Sequence, residues 1–66
     1  MREPNLELKA KIILKFGSII EAARKCEIRE DRLSRIIHRR VVPNALERGE
    51  LAFQLGERIS DLFEND

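Results

Sequence analysis

Punctuation constrains this chain more than any other feature. Gly17-Ser18, Pro43-Asn44 and Gly56 cut it into short stretches, each with apolar residues at helical spacing. No run alternates β-branched and polar residues between hairpin turns, which predicts an all-helical fold without a sheet. Helices this short are marginal alone and must stabilise one another by packing. With 66 residues, the chain has room for one domain with a thin stability margin.

The first helix is expected from Pro4 or Asn5 to Lys15, with Leu8, Ile12 and Phe16 on one stripe and Ile13 beside them. Gly17 ends it in a left-handed conformation. Ser18 and Glu21 make a capping-box pattern that opens a second helix, reaching Cys26. Ala22 and Ala23 at its middle admit close approach by another helix. After a break at Glu27-Ile28, a third helix is expected from Glu30 to Arg39, with Leu33, Ile36 and Ile37 as its buried face. Val41-Val42-Pro43 reads as an extended connector. Asn44 with Glu47 caps a fourth helix to Leu55, on which Leu46, Leu51, Ala52 and Leu55 are expected to face inward and Gly49 weakens the interior. Beyond Gly56, Ile59 to Phe63 suits a short fifth helix, and Glu64-Asn65-Asp66 is expected to fray.

The net charge of +1 conceals an asymmetry. Residues 1–40 carry a net +5 and residues 41–66 a net −4. A basic front and an acidic back suit a protein that turns one face to a polyanion. Cys26 is the only cysteine, so no disulfide or zinc framework can form, and its plain role is that of a small buried hydrophobe. No stretch is long enough to span a membrane, and the first residues lack the apolar core of a secretory signal, which predicts a cytoplasmic protein. Catalysis is not expected. His38 is the only histidine, with no activating neighbour, and the three glycines form no phosphate-cradling loop. No cofactor, metal or small-molecule ligand is expected either.

The segment from Phe16 to His38 resembles the helix-turn-helix of the XRE family of phage Cro- and repressor-like regulators. Ala23 matches the small residue midway along the first motif helix. Ile28 matches the aliphatic residue after the turn, and Leu33 and Ile36 match the inner face of the recognition helix. Leu33-Ser34-Arg35-Ile36, Pro43 and the string from Leu51 to Gly56 are also similar to the family. The resemblance covers about residues 8–63. It implies a compact four- to five-helix bundle of lambda-repressor-like type, a single domain over 1–66 with motif helices at about 18–26 and 29–39. The function it implies is a sequence-specific regulator of transcription, of bacterial or phage type, that binds double-stranded DNA.

On that reading the third helix lies in the major groove. Arg29, Arg32, Ser34 and Arg35 are the candidates for base edges, because an arginine can bond both acceptors of a guanine. Ser18, Lys25, His38, Arg39 and Arg40 are the candidates for phosphate contacts. Phe53, Ile59, Leu62 and Phe63 either pair two copies into a homodimer or close the monomer's own core. Three places depart from the family pattern. Glu27 stands where a turn glycine is usual and must strain the turn or change its geometry. Ile19, followed by Ile20, replaces a polar residue. Glu30 and Asp31 open the third helix, where acids either favour the helix dipole or accept from a cytosine amino group. Ile19, Ile20, Glu30 and Asp31 together motivate an alternative: a protein-interaction module, antitoxin- or adaptor-like, that keeps the fold without reading DNA.

Overall fold

The computed structural model describes residues 3–63, and within them every regular element is helical. The five are α1 (Leu6–Phe16), α2 (Ile19–Cys26), α3 (Glu30–Ile37), α4 (Ala45–Leu55) and α5 (Ile59–Phe63). They enclose one core, built mainly from Leu8 and Ile12 of α1, Ala22, Ala23 and Cys26 of α2, and Leu33, Ile36 and Ile37 of α3. Leu51 and Ala52 of α4 and Leu62 and Phe63 of α5 complete it.

The chain folds here because its helix ends are satisfied locally. Asn5 caps α1, its Oδ1 accepting from the Leu8 N–H at 3.1 Å. The same side chain is buried, and its Nδ2 donates to the Leu62 carbonyl at 2.7 Å. The Asn5 backbone N–H reaches the Ile37 carbonyl at 2.6 Å. One residue thereby ties the start of α1 to the ends of α3 and α5. Ser18 caps α2 by accepting from the Glu21 N–H at 3.1 Å. The reciprocal half of the expected box is absent, since the Glu21 carboxylate turns to Arg24 at 3.4 Å. At Asn44 the box is complete, with both bonds at 2.8 Å.

Three helices close alike. After α2, the Glu27 N–H bonds to the Arg24 carbonyl and the Ile28 N–H to that of Ala23. After α3, Arg39 and Arg40 bond back to Ile36 and Arg35 in the same pattern. After α4, Gly56 and Glu57 bond back to Phe53 and Ala52. This is the Schellman closure, which needs a left-handed residue at its first position. Gly56 supplies it freely, whereas Glu27 (φ 56°) and Arg39 (φ 59°) adopt it against their Cβ. The glycine-free turn thus forms with ordinary geometry and stored strain. Ile28, next after Glu27, packs against the core, which is what holds the turn in place.

Several expectations are corrected. α3 ends at Ile37, two residues short of Arg39, because Arg39 leaves the helical region. Leu46 is 84% exposed. It lies five residues before Leu51, about 140° around the helix, and so cannot share that residue's inward face. Ile13 is also exposed, on the solvent side of α1. The fraying expected for residues 64–66 lies outside the described residues.

Two outcomes follow from these ends. Asn5→Ala removes a cap, worth about 0.5–2 kcal/mol, and strands the buried Leu62 carbonyl, worth about 1–3 kcal/mol. The expected loss of about 1.5–5 kcal/mol is large for a domain whose total is on the order of 3–10 kcal/mol. Chemical denaturation will show it as a lowered midpoint. Glu27→Gly relieves the left-handed strain and should gain about 0.5–1 kcal/mol after the entropy of glycine is subtracted. A variant that melts at or below the wild-type temperature would refute the strain.

Candidate nucleic-acid interface

On α3, residues three and four apart share a face. Leu33, Ile36 and Ile37 are fully buried on one side. Asp31, Ser34, Arg35 and His38 follow at i, i+3, i+4 and i+7 on the other. These four, with Arg40 from the turn beyond the helix, line a shallow depression open to solvent. The Arg40 N–H donates to the Arg35 carbonyl at 2.9 Å, so the closure of α3 also places the Arg40 side chain at this face. His38 Nδ1 lies 2.8 Å from the Ser34 carbonyl oxygen. A carbonyl only accepts, so Nδ1 carries the proton, and Nε2 is left for an outside partner. At the head of the helix Arg29 occupies the N-cap position without a capping side chain. Its guanidinium is 3.4 Å from Asp31 in an exposed pair that moderates this carboxylate.

Of the base-edge candidates, Ser34 and Arg35 meet at this face, and Arg29 borders it. Arg32 does not join them. Its Nε and Nη2 donate to Oε2 and Oε1 of Glu47, both at 2.9 Å. This two-pronged pair braces α3 against the first turn of α4. Among the phosphate candidates, His38 and Arg40 line the depression. Arg39 is half-buried, Ser18 spends its hydroxyl on the Glu21 N–H, and Lys25 is exposed on α2. Of the residues considered for pairing two copies, Leu62 and Phe63 are buried in the monomer core, because α5 folds back under Asn5. Phe53 and Ile59 remain exposed.

Two contributors escaped the sequence reading. Glu47 was legible only as a capping residue, but a carboxylate has two oxygens. Oε1 accepts from the Asn44 N–H, and both oxygens accept from Arg32. Asp31 was noted as an acid at a helix start, and the i, i+4 spacing to Arg35 was the signal that it shares the outer face of α3. Cys26 is buried as expected, its thiol pushed up to about 11 by burial first and by the nearby Glu50 carboxylate second. It therefore stays protonated and unreactive. Compared with known protein families, curated proteins and solved structures, the chain matches none.

The brace carries a pH signature. The hydrogen bonds from Arg32 first, and the Asn44 N–H as well, hold the Glu47 carboxyl below its usual range despite the opposing cost of burial. A carboxyl depressed on folding contributes stability that is present above the unfolded pKa, about 4.3 for glutamate. That stability is lost as pH falls through the lower folded value. Glu47→Gln should therefore lower the melting temperature at neutral pH, and the gap to wild type should close toward pH 3. A gap that stays constant with pH would remove the charge of Glu47 from the account.

Proposed function

We propose that this chain is a sequence-specific duplex-DNA-binding regulator that lays the outer face of α3 in the major groove. The observation that carries the reading is the polar face of α3. It sets Ser34, Arg35 and His38 beside Arg40 on the side opposite the core, with Ser34 half-buried and the other three exposed. A B-form major groove is about 12 Å wide and admits one helix. The resemblance of residues 16–38 to a helix-turn-helix supports the same placement, as does the buried Ala22-Ala23 pair that lets α2 lie close to α3.

Arg35 is assigned to a guanine edge and Ser34 to a neighbouring base. Arg29 approaches from the N-terminal end of α3. Arg40 and His38 contact phosphate oxygens and set register without reading sequence. Arg32 is reassigned from base contact to brace, since its guanidinium is committed to Glu47. A second reading, a protein-interaction module on the same fold, draws on Ile20, which is 56% exposed on α2.

Selection from a random duplex library separates the two. The wild type should enrich a motif. Arg35→Ala should lose about 1–3 kcal/mol of discrimination at one position. Arg40→Ala should weaken all sequences alike and shallow the salt dependence by about one unit of slope. If neither wild type nor variant enriches a motif, the DNA reading fails and Ile20→Asp becomes the informative substitution.

A further inference from the structure

The outer face of α4 carries two large apolar side chains that touch little of their own chain. Leu46 and Phe53 are 84% and 80% exposed. Seven residues apart, they share one face, turned away from Leu51, Ala52 and Leu55. Gly49 lies between them. A Cβ built there would meet nothing within 4 Å. No packing inside this chain therefore calls for glycine, although glycine weakens a helix interior. On a face flanked by Leu46 and Phe53, the missing side chain leaves a notch where another backbone can come close.

Toward α2 this face descends into a groove lined by Cys26, Glu27, Ile28, Leu46, Glu47 and Glu50. Its floor is apolar and its rim is carboxylate. Glu47 is held by Arg32. Among the described residues no cation pairs with Glu27 or Glu50, and Glu50 only accepts from the neutral Gln54 amide at 3.0 Å. Two unneutralised negative charges thus border an exposed apolar stripe.

We propose that the outer face of α4 and its groove dock a cationic amphipathic helix of another protein. Lysine or arginine heads of that helix meet Glu27 and Glu50, and their methylene stems lie along Cys26 and Ile28. Its apolar stripe packs between Leu46 and Phe53, crossing closest at Gly49. The charges argue against a second copy of this chain as the occupant. Antiparallel pairing of α4 about Gly49 would match Leu46 with Phe53 of the other copy. It would also set the two Glu50 carboxylates on the same flank, where like charges repel.

The probe is a fluorescein-labelled helical peptide of leucine, alanine and lysine, compared by anisotropy with its counterpart carrying glutamate for lysine. The lysine peptide should bind the wild type and the glutamate peptide should not. Phe53→Ser and Glu50→Lys should each weaken binding about tenfold or more. Phe53 points to solvent and Glu50 is half-buried at the rim of the groove, and unchanged circular dichroism checks that the variants fold. Gly49→Gln should raise the melting temperature yet weaken peptide binding, a pairing that lost stability cannot produce. DNA binding by these variants should stay at the wild-type level, which separates this surface from α3. The proposal is overturned if the lysine peptide fails to bind, if both peptides bind alike or if the variants bind as wild type does. It is also overturned if sedimentation shows a wild-type dimer that Phe53→Ser dissolves.

Discussion

The structure depends first on Asn5. Its side chain is polar and buried, and burial of an amide is tolerable only when its donors and acceptors are met. Here Oδ1 caps α1, Nδ2 takes the Leu62 carbonyl and the backbone N–H takes the Ile37 carbonyl. Three helix ends converge on this one residue. α3 has eight residues and α5 has five, lengths at which an isolated helix is not stable in water. Their persistence rests on burying Leu33, Ile36, Ile37, Leu62 and Phe63 together. Asn5 fixes the register in which they do so.

That register determines what α3 shows to solvent. With Ile37 held at Asn5 and Arg32 braced to Glu47, the helix is fixed at its last turn and along one edge. Rotation about its own axis would bury Arg35 or expose Leu33. The strained left-handed residues Glu27 and Arg39 stand three residues before and two residues after this same helix. Each permits a tight closure that returns the chain to the core, at Ile28 and at Val41. Strain of this kind persists where surrounding packing over-determines the backbone. Here it confines α3 to its eight residues and delivers Arg40 to the same side as Arg35.

Much of this was legible in the sequence, because it is local. The capping residues Ser18 and Asn44, the closing glycines and the i, i+3, i+4 apolar triad of α3 act within a turn or two. The five helices and the polar face of α3 follow from them. The misreadings have physical causes. Leu46 was grouped with Leu51 by hydrophobicity, although five residues do not return to the same helical face. The end of α3 was placed late because an arginine rarely takes the conformation that Arg39 adopts. Leu62 and Phe63 were left open between two roles, since only the three-dimensional path of α5 decides whether they meet their own core. Arg32 and Glu47 are fifteen residues apart, and nothing in the pattern of either segment pairs them. Function was less legible than fold, because a basic helix face has the same spacing whether it meets phosphate, carboxylate or water.

The Arg32–Glu47 pair also stands between two surfaces of differing charge. It lies on the seam where α3 meets α4, and it neutralises one residue from each side. What remains is segregated in part, with Asp31 sharing the face of Arg35. Arg29, Arg35 and Arg40 stand on or beside the outer face of α3, while Glu27 and Glu50 border the groove of α4. A two-pronged pair met by two further groups, the Asn44 N–H and, at longer range, the Val42 carbonyl, costs little flexibility because the Asn44 side chain already holds the Glu47 backbone in place. One carboxylate thereby caps α4 and orients α3 beside it.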